Sequence, residues 1–201
     1  MKQCVDNLNL IKPFLKFDSE DDFYYLQILR RRKDNPDDQE KNTVSIKDYY
    51  IRSIEYLEKK YDEIKSLCQY FNARASIRLN KRSFKKVSFR TLNNITAQMM
   101  QEDFHSTRQA YSKACGQCHN DNEKKWIIDI DEDMIDQEYE IMEYINCECQ
   151  PDDCDKFYAK IPTKSGFHLI SKPFNIETFK KKYPMIDIHK ENPTILYCLK
   201  G

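Results

Sequence analysis

The sequence predicts an α+β protein, because segments with the period of a helix alternate with segments with the period of a strand. From Ser45 to Phe71, apolar residues recur at steps of three and four, which predicts one long amphipathic helix. From Ala73 to Leu79, small and apolar residues alternate with polar or basic ones, which predicts a half-buried strand with an exposed or ligand-facing basic side. This alternation favours mixed layers over a helical bundle.

The N-terminal part looks different from the rest. Residues 1–22 show little periodicity and predict a loosely ordered arm, whereas Phe23–Arg32 is aromatic and aliphatic and predicts a strand. A polar loop around Pro36 indicates a boundary. We therefore divide the chain into residues 1–44, an arm with a candidate edge strand, and residues 45–201, the main domain, which is either separate from the N-terminal part or continuous with it.

The remaining elements follow from local signals. Arg82–Met100 predicts a helix with Ser83 as its N-cap, and residues 104–123 predict a short helix or an irregular connection. Further helices are predicted at Met134–Asn146 and Asn175–Lys182. Strands are predicted from Trp126 onwards and at Lys156–Ile161, Phe167–Ser171, Pro184–Ile188 and Thr194–Leu199.

Composition narrows the class of protein. The chain is 40% hydrophobic and 33% charged, as is typical of a folded globular protein. No run approaches the roughly 18 uninterrupted apolar residues of a membrane span, and the N-terminus lacks a signal-peptide core. We expect a cytoplasmic protein that does not bind membranes.

Without an export signal, the eight cysteines predict free thiols rather than a disulfide framework. Two clusters could gather around zinc, but their spacing lacks the regular paired pattern of zinc knuckles. Structural zinc is therefore not expected, and the role of the clusters stays open. They are Cys115, Cys118 and His119, and Cys147, Cys149 and Cys154.

The net charge is zero, but the charges are segregated. No acidic residue occurs between Ile64 and Gln101, whereas residues 121–155 are strongly acidic. This pattern suits a phosphate-binding surface beside a carboxylate cluster, and equally an ordinary solvated surface. Candidates for nucleic-acid contacts are Arg74, Arg78, Arg82, Lys85 and Lys86.

The most informative stretch is Trp126–Glu132. Its carboxylates Asp129 and Asp131 stand two residues apart, so they share one face of an extended chain. A carboxylate pair on a sheet needs a positive partner, and Mg²⁺ binds one or two carboxylates together with substrate phosphates. The alternative is a strand that ends in a solvated acidic turn, because Glu132 and Asp133 follow directly.

Three motifs, taken in order, resemble the catalytic core of the archaeo-eukaryotic primase superfamily. They read Ile127-Ile128-Asp129-Ile130-Asp131, Ser165-Gly166-Phe167-His168 and Ile186-Asp187. The family patterns are hhhDhD, S-x-H and h-D, so this chain has one extra residue between serine and histidine. The segment 72–83 is also similar to small phage-encoded members of the group.

The resemblance implies a fold and a chemistry. The fold is a primase-like core with a mostly antiparallel, RRM-like sheet flanked by helices and preceded by an N-terminal helical or αβ region. The activity is that of a phage-type DNA primase or primase-polymerase in the host cytoplasm. It would copy single-stranded DNA from nucleoside triphosphates with two Mg²⁺ or Mn²⁺ ions, and a replicative helicase is a candidate partner.

The resemblance also implies residue roles. Asp129, Asp131 and Asp187 would bind the metal ions, and His168 would contact the incoming triphosphate. The turn before His168 would add a charge, a hydroxyl donor and a flexible position, from Lys164, Ser165 and Gly166.

Other readings of the same residues stay open. The carboxylates with Lys164 could serve a metal-dependent nuclease, and the sheet could be a platform in a non-catalytic, nucleic-acid-binding replication accessory protein. A sugar transferase would also use an Asp-x-Asp pair, but no nucleotide-sugar fold is recognisable. Individually, His168 could be a hydrogen-bonded sheet histidine, the Lys164–Gly166 segment a solvated turn, and Asp187 a strand cap.

Overall fold

The computed structural model describes residues 3–36, 42–118, 123–152 and 155–200. In chain order, the elements within these residues are β1 (Cys4–Asp6), α1 (Leu8–Ile11), β2 (Asp22–Arg30), β3 (Val44–Ile51), α2 (Ile54–Tyr70), β4 (Arg74–Ile77), β5 (Arg82–Ser83), α3 (Phe84–Met100), α4 (Ala110–Gln117), β6 (Trp126–Asp131), α5 (Glu138–Glu148), β7 (Phe157–Pro162), β8 (Gly166–Ser171), α6 (Ile176–Lys182), β9 (Asp187–His189) and β10 (Thr194–Leu199).

The strands form two sheets, and all their pairings are antiparallel. The first sheet has the order β1-β10-β4-β2-β3, with β5 paired to β2. The second has the order β7-β8-β6-β9. The predicted α+β class with antiparallel sheets and flanking helices is confirmed, although the strands are divided between two sheets. The finer primase-like arrangement stays a prediction.

The two faces of β6 differ in what they contact. Ile128 and Ile130 pack into a cluster with α5 and α6, which includes Ile141, Ile145 and Phe179. Because side chains alternate along a strand, Ile127, Asp129 and Asp131 point to the opposite face. Ile127 belongs to the core of the first sheet and α2, together with Ile170 and Leu196. The two carboxylates therefore lie on the face of β6 that is turned towards the first sheet.

The single helix predicted over Ser45–Phe71 is wrong in its first part, because Val44–Ile51 is strand β3. Ile46, Tyr50 and Ile54 stand four residues apart, a spacing that fits a period of 2 as well as one of 3.6. Helix α2 begins only after Ser53, whose side chain accepts a hydrogen bond from Tyr56 N at 3.0 Å. Pairing of β3 with β2 from Tyr24 to Arg30 decides the local structure in favour of a strand.

The N-terminal segment is not a loosely ordered arm. Strand β1 pairs with β10, and the buried side chain of Asn7 donates to the carbonyl oxygens of Ile195 and Pro162, each at 2.8 Å. Strand β2 lies between β3 and β4, so it is an inner strand rather than an edge strand. Strand pairing thus crosses the boundary predicted after residue 44. These contacts are long-range, and the local sequence does not encode them.

Most other helices and strands begin and end within a few residues of their predicted bounds. Ser83 caps α3 and accepts a hydrogen bond from Lys86 N at 3.1 Å, and Asn175 caps α6 in the same way. Helix α5 begins at Glu138, later than predicted, because a 3-10 turn over Glu132–Gln137 precedes it. Within the described residues, no helix combines the length and the apolar composition that a membrane span requires.

Candidate functional site

Asp129 stands at the centre of a row of polar residues across the second sheet. In the strand register its partner on β8 is His168, and its partner on β9 is Asp187. Direct cross-strand partners share a face of the sheet with Cβ atoms about 4.5–5.5 Å apart. Asp131 lies two residues further along β6 and points the same way. The structure therefore brings together the four residues that the three motifs singled out.

This row forms one wall of a cavity of about 570 Å³ between the two sheets. That volume lies within the range of about 300–1,000 Å³ that is typical of small-molecule sites. The second sheet and its loops contribute Asp129, Asp131, Thr163, Ser165, His168, Asp187, His189, Asn192 and Pro193. The first sheet and its loops contribute Leu29, Arg31, Lys33, Thr43, Arg74, Ser76 and Ile195. Carboxylates on one wall thus face basic side chains on the other.

His168 is buried and held from both ends of its ring. Its Nε2 lies 3.4 Å from Oδ1 of Asp129, and its Nδ1 lies 2.8 Å from Oγ1 of Thr194, a fully buried residue on β10. The hydrogen bond from His168 lowers the pKa of Asp129; burial opposes this, and the charges of His168, His189 and Lys33 add to it. Asp129 is therefore a carboxylate at neutral pH, as a metal ligand must be.

Gly166 allows the turn after β7 to approach the end of β6. Its φ is +139°, and a Cβ at this position would lie 2.1 Å from the carbonyl oxygen of Ile130. Its carbonyl accepts a hydrogen bond from Thr163 N at 2.9 Å, which closes the turn. Only glycine fits here, because any side chain would collide with the strand that carries the two carboxylates.

Lys164 is tied to a residue that the sequence did not single out. Its Nζ lies 3.2 Å from Oδ1 of Asp34, whose carboxylate also accepts two hydrogen bonds from Arg74. Burial acts to raise the pKa of Asp34, but Arg74 and Lys164 outweigh it, and the pKa is lowered. Asp34 follows β2 in a polar segment that carries no recognisable motif.

The basic residues from Arg74 to Lys86 do not form a single surface. Arg74 borders the cavity, and Lys85 and Lys86 are exposed on α3. Arg78 donates to the carbonyl of Glu191. Arg82 is buried, and it donates to the carbonyl of Cys115 at 2.8 Å and to Glu191 Oε2 at 3.1 Å. The four residues of the inner strand β4 are all buried, and on its polar side Arg74 and Ser76 line the cavity.

Sequence reasoning missed several residues that line the cavity, and also Thr194, which contacts His168. Arg31 and Lys33 belong to the basic end of the β2 segment, which was visible in the sequence but carried no motif. Thr194 and Asn192 are small polar residues near the C-terminus, and nothing local distinguishes them. Their roles depend on tertiary contacts, such as the one between Asn192 Nδ2 and His189 Nδ1 at 2.9 Å.

Carboxylate oxygens are donors that Mg²⁺ and Mn²⁺ accept, so the acidic residues of the row could hold either ion. Within the described residues, no three His, Cys, Asp or Glu side chains are already gathered as in a preformed metal site. Mg²⁺ does not need such a cage, since one or two carboxylates, water and substrate phosphates complete its shell. Asp129 with Asp131 or Asp187 offers these carboxylates on one face.

The structure describes only some residues of the two cysteine clusters. The cysteines within the described residues have free thiols, and Cys115 and Cys149 are buried. His119 and Cys154, which the zinc alternative would use, lie outside the described residues. The expectation about structural zinc therefore stays a prediction.

The arrangement as a whole places carboxylates, which could hold a divalent cation, opposite basic side chains, which could attract an anion. Carboxylates of the second sheet would hold the cation, while Arg31 and Lys33 would attract negative charge from the first sheet; the charge of Arg74 is already paired with Asp34. Comparisons of the chain with protein-family models, curated proteins and solved structures found no match.

Proposed function

We propose that this protein is a metal-dependent nucleotidyltransferase of the primase type, which makes primers on single-stranded DNA from nucleoside triphosphates and extends them. The observation that carries the proposal is the placement of Asp129 between His168 and Asp187, opposite Arg31 and Lys33 across one cavity. Carboxylates for a cation and a basic wall for a polyphosphate are what such a reaction requires.

Asp129, Asp131 and Asp187 would hold Mg²⁺ or Mn²⁺, which would supply Lewis-acid chemistry where a 3′-hydroxyl displaces pyrophosphate from the α-phosphate of a nucleoside triphosphate. The protein's own residues prepare the site for this reaction. The contact with His168 keeps the pKa of Asp129 low, so its carboxylate is ready for a cation. Thr194 fixes the ring of His168, whose Nε2 then points towards Asp129 and the cavity.

The basic wall would orient the triphosphate. Arg31 and Lys33 follow the end of β2 and line the cavity, and Arg74 on the neighbouring strand β4 lines it as the partner of Asp34. The Ser165 hydroxyl lines the same cavity and can donate to a phosphate oxygen. Single-stranded DNA would be held mainly through its backbone charge, which predicts salt-sensitive binding. A replicative helicase remains a candidate partner.

Primer synthesis without a supplied primer tests the proposal. Purified protein is incubated with single-stranded DNA, Mg²⁺ or Mn²⁺, and either ribo- or deoxyribonucleotides, and products are resolved on a denaturing gel. We expect products that Asp129→Asn and Asp131→Asn each reduce by about 100-fold or more, since each variant removes a charged ligand. Glu132→Gln and Asp133→Asn are matched controls, because these exposed acids follow the strand in the next turn.

Three other outcomes would contradict the proposal or identify a different function. If no product depends on Asp129, the proposed reaction is wrong. Metal-dependent cleavage of DNA in the absence of nucleotides would identify a nuclease instead. DNA binding that survives EDTA and the Asp129→Ala substitution, with neither synthesis nor cleavage, would identify a non-catalytic accessory protein.

A further inference from the structure

Helix α3 carries an apolar stripe on the side that faces solvent. The stripe consists of Phe89, Leu92, Met99 and Met100, and Phe104 continues it after the helix; these side chains are between 52% and 82% exposed. Phe89 and Leu92 are three residues apart, and Met99 and Met100 follow two turns later, so the side chains line up along one face. Contiguous exposed apolar surface of this kind marks an interaction site.

The opposite face of α3 is already occupied. Val87 is its only fully buried residue among those described, and it packs in a cluster with Ala114 and Cys115 of α4. Arg90 and Asn94 both donate to Gln117 Oε1 at the end of α4. The stripe therefore points away from the body of the protein, as far as the described residues show.

The charged residues at the two ends of α3 are arranged unfavourably for its helix dipole. Lys85 and Lys86 stand in the first turn, which contains no acid, and the last turn contains no base. Acids near the N-terminus and bases near the C-terminus would be the favourable arrangement. Glu102 and Asp103 follow directly after the helix and are exposed. One end of the stripe is therefore basic and the other end acidic.

We propose that two copies of this chain associate through the stripe, with their α3 helices antiparallel. In this arrangement Phe89 of one copy lies near Met99 of the other, and Leu92 lies near the two-fold axis. The basic end of each helix then meets the acidic end of its partner, and the opposed helix dipoles are also favourable. The proposal is independent of the proposed function.

The stripe suits a second copy better than nucleic acid. Stacking of successive bases requires neighbouring aromatic rings, whereas the two rings of the stripe, Phe89 and Phe104, stand at its opposite ends with only Leu92, Met99 and Met100 between them. Glu102 and Asp103 would repel a phosphate backbone. In contrast, helix α3 of a second copy would cover the apolar surface and pair with both charged ends, as a symmetric interface requires.

Sedimentation of the full chain over a range of concentrations tests the proposal. We expect a dimer with a Kd in the range of about 1 to 10 µM, and a weakening of about tenfold or more in the double variant Phe89→Ser, Leu92→Ser. Tyr70→Ser is the matched control, since Tyr70 is an apolar aromatic residue that is 84% exposed at the end of α2. A wild-type monomer at about 100 µM, or a dimer that the double variant leaves intact, overturns the proposal.

A charge exchange tests the antiparallel arrangement. Lys86→Glu and Glu102→Lys should each weaken the dimer, and the two together should restore it. Lys86→Glu favours the helix itself, because an acid at the third helical position suits both the dipole and the Ser83 cap, so weakening cannot be ascribed to unfolding. Failure of the combined variant to restore the dimer overturns the proposal. So does a monomeric chain whose affinity for single-stranded DNA falls in the Phe89→Ser, Leu92→Ser variant, since the stripe would then bind nucleic acid.

Discussion

Arg74 and Asp34 form a two-pronged ion pair in which Nε and Nη2 of the guanidinium each lie 2.6 Å from a carboxylate oxygen. The side chains are only 9% and 7% exposed. Because Asp34 also contacts Lys164, its carboxylate links β4 of the first sheet to the turn between β7 and β8 of the second. The two walls of the cavity are thus held together beside the site.

Asp34→Asn should therefore be strongly destabilising. The substitution leaves the Arg74 guanidinium buried without its counter-charge, and such a loss reduces the free energy of unfolding by about 3–5 kcal/mol. Urea unfolding measures this effect. Asp62→Asn is the control, because Asp62 pairs with Lys65 on the surface and its side chain is 94% exposed, so its loss should matter by less than about 1 kcal/mol. Equal effects of the two substitutions would contradict the role assigned to Asp34.

The same carboxylate predicts a dependence of stability on pH. Burial raises the pKa of Asp34, but the hydrogen bonds and charges of Arg74 and Lys164 prevail and bring it below its ordinary value of 3.8. A carboxylate with a lowered pKa stabilises the folded state at pH values above its unfolded-state pKa. This contribution is lost as the pH falls through its folded-state pKa. The stability difference between wild type and Asp34→Asn should therefore narrow on acidification below pH 3.8. A constant difference in unfolding free energy across this range would show that Asp34 does not titrate as described.

Gly166→Ala should disturb the site through the backbone. The added Cβ would lie 2.1 Å from the carbonyl oxygen of Ile130, so β6 or the turn must move. We expect a loss of roughly 1–3 kcal/mol, which lowers the melting temperature of a chain of this size by several degrees. Gly116→Ala is the matched control, because nothing lies within 4 Å of its Cβ position inside α4. Alanine there should be neutral or slightly stabilising. A thermal melt that ranks the two variants in the opposite order would be inconsistent with the close approach of β8 to β6.

The sequence alone could predict the residues of the second sheet that form the row. The run from Ile128 to Asp131 alternates apolar and acidic side chains, and the later motifs place His168 and Asp187 on strands of their own. That these strands are neighbours was a prediction, and the register confirms it, since Asp129 pairs with both residues. Local pattern sufficed here because each motif lies within one strand.

The opposite wall could not be predicted, for a physical reason. Thr194 meets His168, and Asp34 meets Lys164, over separations of 26 and 130 residues. No local propensity encodes a contact between two sheets. The misassigned strand β3 has the same cause, since its pairing with β2 outweighs a spacing that also fits a helix.

Thr194→Val should loosen the ring of His168, although valine has nearly the same shape as threonine. The substitution removes the hydroxyl that lies 2.8 Å from Nδ1 and leaves a buried ring nitrogen without a partner, which costs about 1–3 kcal/mol. Thr194→Ser keeps the hydroxyl and serves as the control. Nitrogen NMR of the imidazole should show an altered tautomer population in the valine variant and an unchanged one in the serine variant. If the valine variant also keeps the wild-type spectrum, Thr194 does not orient the ring.

The basic segment that the sequence associates with nucleic acid contains both buried and exposed residues. Arg82 has a structural role, whereas Lys85 lies on the surface. Arg82→Gln should lower the free energy of unfolding by about 2–4 kcal/mol, because the buried guanidinium bonds the carbonyl of Cys115 and the carboxylate of Glu191. Lys85→Gln should change stability by less than about 0.5 kcal/mol, since its side chain is exposed on α3. Chemical unfolding measures both variants, and fluorescence anisotropy with labelled single-stranded DNA measures binding by the folded protein. An Arg82→Gln variant of wild-type stability that binds DNA less tightly would show instead that Arg82 reaches nucleic acid.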